Sequence, residues 1–307
     1  MSDLIIAVSI LACLSLFAFA AGIKTGCHPA ENHRRFIEIV ATALMMSYLA
    51  FLWNRPILTK WLPTSALIIA GNWLPVWGSF FLGIYIKSKN ISLARRVVIG
   101  GFMLTIVAYS GCAPLLGQTP TGACTSSNGN VLQEQTTPYT CSAACAVSLL
   151  RLHGLDATED ELAKLCLTRE GTHWLGLYRG MVLKTQGTEW MVTVTEVDSD
   201  TVQQMDAPCI LAINIDTSVF PEQLDHGFNS EVGHSVVYLG RTMPQCITVF
   251  DPSPDYGIED WDTRTISCVK SGVALKLVKR TATTETSEVV HRTVNAMLVK
   301  RQLTAGL

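Results

Sequence analysis

QEQTTPYTCSAACAVSLL, Gln133 to Leu150, decides how the second half of this chain is read. A polar stretch with one proline gives way to small and apolar residues, and Cys141 stands at the change. The run from Ser142 to Leu152 reads as a helix, with Ala144, Val147, Leu149 and Leu150 as its apolar positions. A thiol reacts as thiolate, and the positive end of a helix dipole favours that form. Taken alone, Cys141 is more often a buried structural thiol. A nucleophile needs a base, a group that orients the base, and donors for an oxyanion.

Each of these has a candidate elsewhere in the chain. Gln135, six residues before Cys141, is placed to donate its side-chain amide to an oxyanion together with the backbone N–H of Cys141. Gln133 is its competitor, two residues earlier. His234 opens the apolar run HSVVYLG, which puts it at a sheet end rather than inside the core. Asp251 closes the next run, CITVFDP. Two neighbouring strands then set His234 and Asp251 side by side, with the carboxylate holding the imidazole in one tautomer. His173 in GTHWLG and His226 in LDHGFNS are rival bases in loops, and Asp255 in SPDYG is a rival turn aspartate. Cys145, one turn after Cys141, reads as a small packing residue on the same helix.

Around these residues helices come first and strands follow. DATEDELAKLC opens with a capping residue, Asp156 or Thr158, and acidic residues in the first turn, so it predicts a second helix. Trp174 to Thr185 predicts a third. TEWMVTVTEV alternates as a strand, APCILAINI is a continuous buried-strand run, and HSVVYLG, CITVFDP and GVALKLVKR add three more. This segregation predicts an α+β domain, its helices packed on an antiparallel sheet.

The first third is different in kind. The 307-residue chain is 49% hydrophobic and 16% charged, with a mean hydropathy of +0.30, and the apolar residues concentrate near the N-terminus. Leu4–Ile23, Phe36–Trp53, Trp61–Ile86 and Val97–Leu116 are each long enough to cross a hydrocarbon core of about 30 Å as a helix. Pro63 and Pro75 bend the third run or confine its span. The start, MSDL, has an acid and no base, which argues against a cleaved signal peptide. The first and third loops carry Lys24, Arg34, Arg35, Lys87, Lys89, Arg95 and Arg96, against Arg55 and Lys60 in the second. The positive-inside rule then puts both termini outside the cytoplasm.

The expected organisation is a four-helix transmembrane domain (1–116), a Gly/Ser/Thr linker (117–130), a globular domain (131–280) and a tail with a short amphipathic helix (281–307). A net charge of −2 gives no footing for a nucleic-acid partner. None of the ten cysteines forms a CxxC pair, so neither a zinc ribbon nor a thioredoxin-like site is expected. In an oxidising compartment some of Cys112, Cys124, Cys166, Cys209, Cys246 and Cys268 could pair, with core packing as the alternative for Cys209 and Cys246 on their predicted strands.

QEQTTPYTCSAACAVSLLRLHG resembles the catalytic segment of the papain-like double-glycine-leader peptidases, domains that trim leader peptides in bacteriocin-exporting ABC transporters. LAKLCLTREGTHWLGLYRGMVLKTQG, GHSVVYLG, VFDPSPDYG and GIEDWDTRTISCVKSGVALKL are similar to the segments that follow in that family, in the same order. The resemblance covers about 131–280. It implies a papain-like fold and a cysteine peptidase with Cys141 as nucleophile, His234 as base, Asp251 as orienter and Gln135 as oxyanion donor. It implies a peptide or protein substrate, no metal and no cofactor. No GxxxxGK[ST] motif occurs, so no ATPase of that type is carried in this chain. In those exporters the peptidase precedes the membrane helices and faces the cytoplasm; here it follows them. The expected setting is a lipid bilayer, the bacterial inner membrane, with the peptidase domain extracytoplasmic. Alternatives are a related acyl transferase and a non-catalytic peptide-binding module on the same fold.

Overall fold

The structure is a computed structural model that describes residues 2–60, 71–87, 92–120, 122, 130–216, 233–243 and 245–280. The chain divides into two compact units, Met1–Gly117 and Gln118–Leu307. The expected tail helix and residue 124 of the expected linker lie outside the described residues.

The described residues of the first unit include the helices α1 (Ser2–Gly26), α2 (Glu31–Phe51), α3 (Leu74–Lys87) and α4 (Leu93–Cys112). Helices α1 and α3 approach closely because glycines face each other. A Cβ on Gly22 would sit 2.1 Å from the Phe80 carbonyl oxygen, and one on Gly83 would sit 2.4 Å from that of Phe19. Small residues at a contact allow such backbone approach in apolar helix pairs. Asn72 and Ser110 close the unit with reciprocal hydrogen bonds of 2.7 and 3.0 Å.

Among the described residues, two helices are long and apolar enough to cross a membrane: Asp3–Gly26 and Leu93–Cys112. Two of the four expected spans thus have such a helix among the described residues. Helix α2 begins with Glu31, Arg34, Arg35 and Glu38, joined by i,i+4 ion pairs at 2.7 and 3.5 Å, which makes its first two turns polar. Helix α3 is 14 residues long and has Pro75 in its first turn, where a missing N–H costs nothing. The 61–70 part of the third apolar run lies outside the described residues.

The second unit is α+β, as the segregation of helical and strand patterns predicts. Helices α5 (Cys141–Leu152), α6 (Glu159–Leu165) and α7 (Trp174–Lys184) precede the strands. Thr158 caps α6 by accepting from the Glu161 N–H, and His173 caps α7 by accepting from the Leu175 N–H. The strands are β1 (Trp190–Val197), β2 (Cys209–Ile215), β3 (His234–Met243), β4 (Cys246–Asp251), β5 (Gly257–Trp261) and β6 (Val269–Lys279). They form one antiparallel sheet in the order β1-β6-β2-β3-β4-β5. A short helix, α8 (Thr263–Ser267), capped by Asp262, joins β5 to β6.

Both faces of the central strands are buried. Leu211, Ile213, Val236, Tyr238, Ile247, Val249 and Trp261 belong to one core cluster, closed by Val202, Ile266 and Cys268. The opposite face, with Ile210, Val237 and Leu239, is also buried, and α5 packs on β2 and β3. Helix α5 is itself buried on nearly every side, from Ser142 to Leu150. Such a helix belongs to a core rather than to a surface. Its buried Ser148 is satisfied: it donates to the Ala144 carbonyl at 2.9 Å and accepts from the Gln133 N–H at 2.8 Å.

Candidate active site

Cys141 is the first residue of α5. Its position is built by the turn before it. Pro138 and Tyr139 are bridged by a Thr140 N–H bond to the Thr137 carbonyl at 3.3 Å, and the Thr140 hydroxyl donates to the same carbonyl at 3.0 Å. Proline presets φ for the second residue of such a turn. Thr140 makes no side-chain cap on the helix, so the first-turn N–H groups carry the positive end of the α5 dipole at the thiol.

His234 is the first residue of β3 and Asp251 the last of β4. The register pairs Val237 with Phe250. Extended by one residue, it sets Asp251 opposite Val236, on the strand face that His234 shares. The His234 Nε2 then lies 2.7 Å from Asp251 Oδ2. Asp251 is fully buried, and its Oδ1 accepts from the Ser253 N–H at 2.8 Å, so both carboxylate oxygens are occupied. With Nε2 committed to Asp251, Nδ1 is the ring nitrogen left for Cys141, with which His234 shares a side-chain hydrogen bond.

The electrostatics of the pair run in opposite directions to burial. Burial pushes the Cys141 thiol up. The hydrogen bond and charge of His234, with hydrogen bonds from the Ser235 backbone and the Ser142 side chain, outweigh it and hold the thiol below its ordinary value. Burial pushes His234 down, but the hydrogen bonds and charges of Asp251 and Cys141 raise it to about 10. The lowered thiol and the raised imidazole are shifted in the directions that favour a thiolate–imidazolium pair. Cys145 is the opposite case. It is buried, its Sγ donates to the Ser235 carbonyl at 3.2 Å, and burial, with the nearby Cys141 and Asp251 charges, pushes it well above its ordinary value. It stays a thiol and packs.

Gln135 lies on the loop that leads into this corner. Its N–H donates to the Pro252 carbonyl at 2.7 Å, which ties the loop to the residue next to Asp251. Its Oε1 is buried and without a hydrogen-bond partner. The competing Gln133 is engaged: its Oε1 accepts from Arg151 at 3.2 Å and its Nε2 donates to the Glu134 carbonyl at 2.8 Å. The rival His173 is spent on capping α7, Asp255 is exposed, and His226 lies outside the described residues.

The structure thus brings Cys141, His234 and Asp251 into one chain of contacts and ties the Gln135 backbone to its edge. Sequence reasoning missed Ser142 and Ser235, whose hydroxyls meet at 2.8 Å beside the pair. Their adjacency in sequence to Cys141 and His234 was the available signal. Among the described residues, no group of three or more His, Cys, Asp or Glu side chains is arranged to hold a metal ion. Of the described cysteines, Cys145, Cys166, Cys209, Cys246 and Cys268 are buried.

Solved structures similar to this chain are peptidase domains. The peptidase domain of Streptococcus ComA, a bi-functional ABC transporter involved in a quorum sensing pathway, is 18% identical; the match covers 48% of this chain and 98% of that one, with a TM-score of 0.40. A double glycine motif protease from an AMS/PCAT transporter, solved in complex with the leader peptide, is 15% identical over 48% of this chain and 90% of that one, with a TM-score of 0.38. No protein-family model matches the chain, and no curated protein matches it.

Proposed function

We propose that this chain is a membrane-anchored cysteine peptidase with Cys141 as nucleophile, His234 as acid and base, Asp251 as orienter and Gln135 as oxyanion donor. The observation that carries the reading is the 2.7 Å bond between His234 and a fully buried Asp251, beneath a thiol held at a helix start. A structural thiol has no need of a charged partner that lowers it.

In the first half-reaction the Cys141 thiolate forms a bond to the carbonyl carbon of a peptide. The carbonyl electron pair moves to oxygen, where the Gln135 amide and the Cys141 N–H receive it. The C–N bond then breaks, and His234 gives its proton to the leaving amine. In the second, water loses a proton to neutral His234 and attacks the thioester, releasing the carboxylic acid and the thiolate. Each step uses only this chain's residues and water.

Four spans, with the peptidase unit outside the cytoplasm, follow from the apolar runs and from the basic residues of loops one and three. The leader peptide bound by the AMS/PCAT protease makes a double-glycine peptide the first substrate to offer. The test is labelling of the full chain in detergent with a peptidyl chloromethyl ketone ending in Gly-Gly. Labelling at Cys141 in wild type, lost in Cys141→Ala and in His234→Ala, supports the peptidase. Absence of Cys141 labelling by this and by other peptidyl ketones sinks it. A C-terminal reporter active only in the cytoplasm would overturn the orientation.

A further inference from the structure

The oxyanion loop is held by a residue far from it in type and place. Three backbone N–H groups of residues 133–136 are bound, each to a different element. Gln133 donates to Ser148 on α5 at 2.8 Å, Gln135 to the Pro252 carbonyl after β4 at 2.7 Å, and Thr136 to Glu159 Oε1 on α6 at 2.9 Å. The Thr136 hydroxyl donates to the same Glu159 oxygen at 3.1 Å. Gln135 therefore sits between a carbonyl beside Asp251 and a carboxylate on α6.

Glu159 is an unusual choice for a purely structural tie. It is buried, 7% exposed, and its second oxygen, Oε2, is enclosed with no hydrogen-bond partner. A carboxylate in that state loses hydration without recovering it. Its place in the first turn of α6 offsets part of this through the helix dipole. What the side chain returns is geometry: two charge-assisted bonds fix Thr136, and through it the backbone direction of Gln135.

We propose that Glu159 is a positioning residue for the oxyanion donor, holding Gln135 in its productive direction by clamping Thr136. The inference rests on the reading of Gln135 given above. Oxyanion donors work because they are aimed before the charge develops, so a displaced donor loses acyl transfer while the thiolate keeps its intrinsic reactivity.

Two probes on the full chain in detergent separate these. Iodoacetamide alkylates the Cys141 thiolate by displacing iodide and needs no oxyanion donor. With 4-nitrophenyl acetate, the Cys141 sulfur forms a bond to the acetyl carbon and 4-nitrophenolate leaves with the electron pair, through an oxyanion. Both are followed by mass spectrometry at the Cys141 peptide. Glu159→Ala should slow acetylation about tenfold or more while alkylation stays within about twofold, the margin of equal reactivity. Glu159→Gln keeps an oxygen for both Thr136 donors and should recover most of the acetylation rate. Acetylation unchanged in Glu159→Ala, a fall in alkylation equal to the fall in acetylation, or a Gln variant as slow as the Ala variant would each overturn the proposal. Gln135→Ala is the control for the reading beneath it. If that variant acetylates like wild type, the oxyanion assignment falls. If it is slow and Glu159→Ala is not, only the Glu159 proposal falls.

Discussion

Ser142 and Ser235 share a hydrogen bond of 2.8 Å, so the residues that follow Cys141 and His234 in the chain are bonded to each other. One lies on α5 and the other on β3, and both are buried. The bond therefore sets the distance between the helix that carries the thiol and the strand that carries the imidazole. The Ser235 backbone and the Ser142 side chain also help to lower the Cys141 thiol.

Removing the Ser142 hydroxyl leaves that of Ser235 buried without this bond, which costs about 1–3 kcal/mol, whereas in Ser235→Ala the Ser142 hydroxyl keeps its bond to Cys141. Ser142→Ala and Ser235→Ala should each lower the melting temperature of the full chain in detergent. The double variant should melt higher than additivity predicts, because it leaves no orphan. Ser142→Ala should also move the midpoint of Cys141 alkylation to higher pH. Strictly additive melting shifts with an unmoved midpoint would deny the bond both roles.

The pH dependence follows from the opposed shifts of Cys141 and His234. The thiol is lowered, so alkylation of Cys141 by iodoacetamide should rise with pH through a midpoint below the ordinary thiol value near 9 and then stay level. Loss of the imidazolium proton near pH 10 leaves the thiolate in place, so alkylation gains no alkaline fall. In the proposed mechanism, peptide cleavage needs that proton for the leaving amine. It should be bell-shaped, with the same acid limb and a descent through about pH 10. In His234→Ala only the Ser235 backbone and the Ser142 side chain still oppose burial, and the alkylation midpoint should move upward. A midpoint that His234→Ala leaves in place would mean that the imidazole does not lower the thiol.

Helix α7 offers a purely structural test. Gly176 and Gly180 lie one turn apart on the face that meets Cys166: a Cβ on the first would sit 2.2 Å from the Cys166 carbonyl oxygen, and one on the second 2.3 Å from its sulfur. Helix α7 can approach only because both positions lack a side chain. Gly176→Val forces backbone apart and should cost about 3 kcal/mol or somewhat less, at the upper end of overpacking. It should lower the melting temperature more than Cys166→Ala, which relieves the contact at Gly180. An unchanged melting temperature in Gly176→Val would show that α7 has room to move.

Much of the second unit was legible because its physics is local. Cys141 after a proline turn reads as a helix start, Thr158 as a cap, and Val/Ile-rich runs as strands; the structure begins or ends each element within a few residues of those signals. Strand β5 was not legible. Gly257–Trp261 is a short edge strand whose residues are mostly half-exposed, so it carries neither an apolar run nor clean alternation. Its pairing with β4 is a tertiary fact. The full burial of α5 was hidden for a related reason. Serines and alanines look like a weak amphipathic pattern until Ser148 and Ser142 are seen to bond to Gln133 and Ser235. In the first unit hydropathy found the apolar runs, but not that ion pairs occupy the start of α2 or that α3 begins only at Leu74.

Asp251 gives the sharpest test of the candidate site, because both its oxygens are accepting. Oδ2 takes the His234 Nε2 proton and Oδ1 takes the Ser253 N–H. An asparagine in its place has one oxygen and one NH2 for two donors. Whichever way it turns, one N–H faces another in a site with no solvent, at a cost of about 1–3 kcal/mol. If the oxygen faces Ser253, the imidazole turns or loses its tautomer; if it faces His234, the imidazolium still loses the carboxylate charge. Either way His234 falls from about 10, since Asp251 is the main group that raises it against burial. The alkaline limb of peptide cleavage should therefore move down in Asp251→Asn, and cleavage at neutral pH should fall by roughly the 10²–10⁴-fold range of general acid–base catalysis. Alkylation should slow less, because the thiolate loses only part of its stabilisation. The measurement is the pH profile of cleavage beside that of alkylation for wild type and Asp251→Asn. An alkaline limb that stays in place would show that His234 draws its charge from Cys141 alone, and Asp251 would then be a packing residue at the end of β4.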